Sequence, residues 1–255
     1  MVRIGVSRCL LGDPVRGDGA YERDAYLADV FGRHVSWVPV CPEVESGLPD
    51  LDAERLDGFV FTPARRGRGL FADAVVREMP LLPVEEEGHL ADPRLRENFI
   101  ERVFAYARLR AVFEGRWTIG ALVRFHTAHK LTLLAHKPAA YRALGTLVAG
   151  AKGRGRAAVR DEYRSVFMAA MATVATPARH VNVMQHMVGY LRDVADAEVL
   201  VEIRGLVDDY RQGHVPLIVP LTRLGHCIRR HRIEYLMGQT YLDPYPRELA
   251  LRNHV

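Results

Sequence analysis

Val2-Arg3-Ile4-Gly5-Val6-Ser7-Arg8-Cys9-Leu10-Leu11-Gly12 decides how the first half of the chain folds. The run from Val2 to Ser7 has the length and apolar content of a strand, and it stops at a short segment closed by Gly12. Runs at Val35 to Val40 and Gly58 to Phe61 have the same texture. The first two stand far enough apart for a crossover helix, so the segment reads as a βαβ unit with parallel strands. After Asp92-Pro93 the pattern changes. Asp caps a helix whose first turn tolerates Pro, and Leu95, Phe99, Val103 and Phe104 then recur at helical spacing. Leu122, Phe125, His129 and Leu133 continue that spacing, and further helices are predicted near Asp161 to Val174, Pro177 to Val194 and Ala197 to Arg211, the last closed by Gly213. The expected architecture is an α/β N-terminal domain followed by an all-α C-terminal domain. Gly115 and its polar neighbours from Glu114 to Thr118 interrupt the helical texture, giving domains 1–115 and 116–255, with Gly150 to Gly155 as a second flexible joint.

A chain of 255 residues with 49% hydrophobic content can bury a sizeable core. Its three cysteines, Cys9, Cys41 and Cys227, imply no disulfide framework, and the opening Met1-Val2-Arg3-Ile4 lacks the apolar stretch of a signal peptide. A reducing, cytoplasmic location is therefore expected. The longest apolar run, Leu217 to Leu221, is interrupted by Pro220 and falls far below the roughly 20 residues a membrane helix needs, so no membrane partner is expected. The net charge of +4 is unevenly divided, with 16 basic against 20 acidic residues through Trp117 and 19 against 11 afterwards. A basic helical half would attract RNA or other polyanions, although the same charge also describes a solvated Arg-rich surface.

Ligands of open α/β sheets bind in the loops beyond the carboxyl ends of the strands. Strand one runs into Ser7-Arg8-Cys9 and strand two into Cys41-Pro42-Glu43, so neighbouring parallel strands would bring two thiols and a carboxylate to one rim. Thiolates are soft ligands suited to iron–sulfur centres or zinc, and Arg8 and Arg16 would favour the thiolate form. Buried structural cysteines fit the same spacing, since neither residue sits in a C-x-x-C pair. His126, His129 and His136 fall within about 60° of one another on an uninterrupted helix at roughly 100° per residue. They read either as metal ligands or as buried imidazoles that hydrogen-bond locally, and no flanking carboxylate supplies a further ligand. Asn182 and His186, beside Met184 and Met187, read as a helix–helix seam, and Leu251 to Val255 as a segment that could dock on the helical domain.

Whole motifs are more specific than spacing. Ser7-x-Cys9-Leu10-Leu11-Gly12, Arg16-x-Asp18-Gly19 and Val40-Cys41-Pro42-Glu43-Val44-Glu45-x-Gly47-Leu48, in that order, resemble the N-terminal domain of the two-domain thiouracil desulfurase (YbgA-type) family. Gly67-Arg68-Gly69-Leu70-Phe71-Ala72, Leu82-Pro83-Val84-Glu85-Glu86-Glu87-Gly88 and Asn98-Phe99-Ile100-Glu101-Arg102-Val103-Phe104 resemble the end of that domain. Phe125-His126-Thr127-Ala128-His129-Lys130, Leu133-Leu134-Ala135-His136, Tyr210-Arg211-Gln212-Gly213 and Pro216-Leu217-Ile218-Val219-Pro220-Leu221 are similar to the family's helical C-terminal domain of unknown function. The resemblance covers nearly the whole chain.

It implies a bacterial enzyme that removes sulfur from thiouracil or a thiolated nucleoside, using a four-iron four-sulfur cluster held by three cysteines with the fourth iron open to the substrate sulfur. Carried over by motif, Cys9 and Cys41 would be cluster ligands, Glu43 would activate water, and Ser7, Arg16 and Asp18 would line the pocket. The sequence departs from the family after Leu56-Asp57-Gly58-Phe59-Val60-Phe61, where a Lys-Ser-Pro-Ser-Cys-Gly turn should supply the third ligand. This chain has Thr62-Pro63-Ala64-Arg65-Arg66 there, and Asp50 to Arg55 follow Gly47-Leu48-Pro49 almost at once. The expected first domain is accordingly a truncated Rossmann-like α/β domain with a weakened or lost cluster site. Cys227 would complete it only by reaching across from the other domain, and a lone helical Cys is expected to serve packing. Two other expectations follow: a degenerate, non-enzymatic member whose basic helical domain binds RNA or another partner, and a mononuclear zinc protein using Cys9, Cys41 and a nearby His or Glu.

Overall fold

β1 (Val2–Ser7) is an inner strand of a parallel sheet, flanked by β2 (Val35–Val40) and β3 (Gly58–Phe61), with β4 (Val84–Glu86) beyond β3. The computed structural model describes residues 1–13, 23–40, 55–62 and 69–255. Val2 pairs with Val35 and Ser7 with Val40, while Ile4 pairs with Gly58 and Val6 with Val60, so β1 and β2 end level. All four residues of β3 are buried, as expected of a parallel strand covered on both faces. Asp57 clamps the start of the β1–β3 pair: the Arg3 N–H donates to its carboxylate at 3.0 Å, and its own N–H donates to the Arg3 carbonyl at 2.7 Å.

Two glycines leave the space that lets large side chains lie on the sheet. A Cβ on Gly5 would stand 2.3 Å from Cδ2 of Phe59, and one on Gly58 would stand 2.6 Å from Cγ2 of Val103. Phe99 and Val103 belong to α2 (Pro93–Phe113), which therefore covers β3. Its start is the one predicted, since the N–H groups of Arg94 and Leu95 donate to Oδ1 of Asp92 at 2.7 and 3.2 Å. Among the described residues, the β1-to-β2 crossover consists of a π-type turn (Tyr26–Val30) and a 3₁₀ turn (Phe31–Arg33) instead of a regular helix. Leu27 and Phe31 anchor it, and the Phe31 ring meets Trp37 edge-on at 5.6 Å. α1 (Gly69–Glu78) precedes β4, whose Glu85 meets Nη1 of Arg102 at 3.5 Å and Nδ1 of His89 at 2.8 Å.

The chain divides into two compact units, Met1–Arg108 and Leu109–Val255, and the division falls inside α2. The second unit carries α3 (Ile119–Ala128), α4 (Lys130–His136), α5 (Pro138–Ala149), α6 (Arg156–Met171), α7 (Pro177–Leu191), α8 (Ala197–Gln212), α9 (Ile218–Arg230) and α10 (Glu234–Met237). An α/β first part with a parallel sheet and a helical second part is the architecture expected from the sequence. Local signals set the helix ends: Thr118 caps α3 by accepting from the Ala121 N–H, Thr176 caps α7 ahead of Pro177, and Gly213 at φ 79° closes α8. The core joins Val183, Met184 and Met187 of α7 to Ile203 of α8 and Leu224 and Ile228 of α9. The methionines form the seam, whereas Asn182 and His186 beside them are exposed. The last residues dock on this unit, with the Leu217 N–H donating to the Val255 carbonyl at 2.8 Å and Nη1 of the buried Arg252 donating to the Tyr241 carbonyl at 2.6 Å. No helix among the described residues is long and apolar enough to cross a membrane.

Candidate functional site

At the carboxyl end of β1 the chain turns into a 3₁₀ helix, Arg8–Leu11, that buries Cys9 and Leu10. Gly12 ends it at φ 99°, a conformation suited to glycine, and its N–H caps the turn by donating to the carbonyls of Arg8 and Cys9. Cys9 is thus held in a fixed turn at the strand end. Ser7 is buried, and its Oγ accepts from the Thr62 N–H at 3.1 Å. Sγ of Cys9 lies 3.3 Å from Oγ1 of Thr62. The ends of β1 and β3 are therefore tied twice through Thr62, once to a hydroxyl and once to a thiol.

β2 ends on the same side, because Val40 is in register with Ser7. Cys41 is the next residue in the chain. Cys41, Glu43, Arg16 and Asp18 lie outside the described residues, so of the expected site only Ser7 and Cys9 are described. Arg8 is exposed. Thr62 stands where the family's third-ligand turn would begin, and sequence reading had marked that segment only as a departure. Its bonding to Ser7 and Cys9 depends on strand register, which no local motif announces.

The donor set does not fit a cluster held by three thiolates. The chain has three cysteines in all. Cys227 is on α9 and packs in the apolar core of the helical unit with Leu224 and Ile228. Burial raises its thiol pKa, an effect opposed by Arg223 and Arg230. That leaves Cys9 and Cys41, and the residue following β3 offers a hydroxyl, a hard donor ill matched to iron–sulfur chemistry.

The histidines also separate. The helix expected to carry all three is broken at His129, so His126 lies on α3 and His136 on α4. Nδ1 of His129 donates to the Phe125 carbonyl at 2.8 Å, and Nδ1 of His136 donates to the Thr173 carbonyl at 2.6 Å. Nδ1 of His126 lies 3.1 Å from the Tyr163 hydroxyl, its ring stacks on Tyr141, and burial lowers its pKa. Burial likewise raises the pKa of the Tyr163 hydroxyl. Each ring serves its own local contact, and no group of three or more His, Cys, Asp or Glu among the described residues could hold a metal ion.

Comparison with known proteins divides along the same lines as the fold. Residues 4–50 match the model of the 2-thiouracil desulfurase family, and residues 130–246 match a family described as a protein of unknown function, DUF1722. The first match covers β1 and β2 and stops before β3. The uncharacterized protein YbgA of Escherichia coli (strain K12) is 33% identical over 161 residues, which span 63% of this chain and 95% of that protein. No solved structure matches the chain. With an α/β part similar to 2-thiouracil desulfurase, a helical part of the unknown-function type, and YbgA as a relative along nearly its whole length, the chain belongs to the two-domain, thiouracil-desulfurase-like YbgA-type family.

Proposed function

We propose that the α/β unit is a desulfurase-family site that binds a thiouracil-type small molecule, free or as a thiolated nucleoside, and that it works without the family's cluster. The contact of Sγ of Cys9 with Oγ1 of Thr62 at 3.3 Å carries this reading, because a hydroxyl stands where the third thiolate is expected. A rim at the carboxyl ends of parallel strands suits a small polar ring. In this role Ser7 and Cys9 form the floor of the rim. Arg16 and Asp18 provide a donor and an acceptor for the edge of a pyrimidine, and Glu43 can take a proton from water. The Cys9 and Cys41 thiols are soft neighbours for a thiocarbonyl sulfur. The expected behaviour is retention of a thiolated pyrimidine with little release of sulfide.

The test uses the full chain purified without oxygen and incubated with ferrous iron and sulfide. Iron per chain, absorption near about 400 nm and retention of 2-thiouracil by equilibrium dialysis are then measured. The expected result is a colourless protein that retains 2-thiouracil, with Arg16→Ala weakening retention about tenfold. A stable complement of about four irons per chain with sulfide released from 2-thiouracil would overturn the cluster-free reading. Failure to retain 2-thiouracil would overturn the ligand.

A further inference from the structure

The packing of α7 against α8 leaves an open groove of about 390 Å³, within the size range of small-molecule sites. Val181, Val188 and Val207 form an apolar floor, and Gly189 keeps one wall open, since a Cβ there would meet nothing within 4 Å. Arg192 comes from the end of α7, and Arg204 and Arg211 come from α8. The one acid in the lining, Asp208, is already engaged: Nη2 of Arg211 lies 2.5 Å from it, and Nε2 of Gln212 donates to it at 2.6 Å. Arg192 and Arg204 have no carboxylate within ion-pair distance among the described residues. Elsewhere on the same unit Arg154 pairs with Glu162, Arg160 with Asp161, Arg223 with Glu202 and Arg247 with Asp243. The groove thus concentrates two unneutralised guanidinium groups over an apolar floor.

We propose that this groove binds a phosphate-bearing nucleotide, as a free nucleotide or as a unit of an RNA strand, through Arg192 and Arg204. Planar guanidinium groups bind phosphate oxygens in pairs and also stack on flat rings. A phosphate carrying up to two charges matches the +2 left after Asp208 and Arg211 cancel. The valine floor suits a ribose or base face, which bare phosphate lacks. The site goes beyond the thiouracil reading and does not rest on it.

The test is fluorescence anisotropy of a short fluorescein-labelled oligouridylate with the full chain at low salt. Competitors are UMP, uridine, inorganic phosphate and polyglutamate. The double variant Arg192→Ala/Arg204→Ala should weaken binding at least about tenfold, and it should lower the slope of log K against log salt by about 1.4. Arg154→Ala/Arg160→Ala, which removes the same charge from paired positions, should change binding by less than about twofold. Gly189→Leu fills the groove without altering charge and should also abolish binding. UMP competing well assigns the site to free nucleotides, and competition only by unlabelled oligouridylate assigns it to RNA; both outcomes sustain the proposal. Equal loss in both double variants would overturn it, as would uridine competing as well as UMP, or polyglutamate competing as well as oligouridylate. Oligouridylate binding and thiouracil retention are separate readouts, so either can fail alone.

Discussion

Replacing Gly5 by Ala tests whether the sheet is held apart by a specific lack of side chain. An Ala Cβ would stand 2.3 Å from Cδ2 and 2.8 Å from Cε2 of Phe59. Carbon atoms pack best at about 3.5–4.0 Å, so the ring would have to retreat by about 1.2 Å. It has little room: Phe59 is fully buried, and its ring is stacked near that of Phe61 at 6.4 Å. Overpacking of this kind typically costs about 1–3 kcal/mol. Trp37 and Trp117 fall in different units, so urea unfolding of a Trp117→Phe chain followed by Trp37 fluorescence reports the α/β unit alone. Gly5→Ala should lower the urea midpoint without changing the m-value. Phe59→Leu should recover part of that loss, with a favourable coupling of about 1 kcal/mol in the double-mutant cycle. Because Gly5 lies opposite Phe59 and two residues before Ser7, the Ser7 and Cys9 contacts to Thr62 should loosen, and 2-thiouracil retention should weaken. The reasoning is refuted if Gly5→Ala matches the wild type within about 0.5 kcal/mol, or if the two substitutions simply add.

Other expectations concern the helical unit. Burial holds the folded-state pKa of His126 below its ordinary 6.5. The unfolded chain therefore takes up the proton first, and the contribution of His126 to stability, complete above about pH 6.5, falls as acid is added. His126→Gln should flatten the change in urea midpoint between about pH 7.5 and pH 5.5; an unchanged slope would refute this. Phe167, fully buried and edge-on to Phe125 at 5.1 Å, should cost about 3–5 kcal/mol on replacement by Ala, measured by Trp117 fluorescence. Gly205 lies in α8 with nothing within 4 Å of a Cβ, so Gly205→Ala should stabilise the unit by up to about 1 kcal/mol, and a loss of stability would contradict that open environment.

What the sequence announces is local, and what it conceals depends on distant partners. β1, β2 and β3 declare themselves as apolar runs, and Asp92, Thr176 and Gly213 mark helix ends by their own chemistry. β4 is three residues of which two are Glu, and only its pairing with β3 makes it a strand. The break at His129 is hidden because apolar spacing continues through it. The Ala128 carbonyl accepts from the Thr240 N–H at 2.9 Å, and the Leu131 N–H donates to Oε1 of Gln239 at 3.2 Å, so residues more than 100 positions away satisfy the backbone at the joint. The site follows the same rule. Ser7 and Cys9 were legible as strand-end residues, whereas the role of Thr62 required the register of β1 against β3. The positive balance of the second half was countable, but its concentration at Arg192 and Arg204 arises from the packing of two helices.

The meeting of the two units within α2 also bears on how the chain can be dissected. Proteases cut where backbone can unfold locally, and a helix interior resists them, so limited digestion should spare the bond after Arg108. Amide protons there should exchange with solvent as slowly as those in the middle of the helix. Fragments meant to represent either half should keep all of Pro93–Phe113 intact, because a cut at the division removes the final turn and leaves its carbonyls exposed.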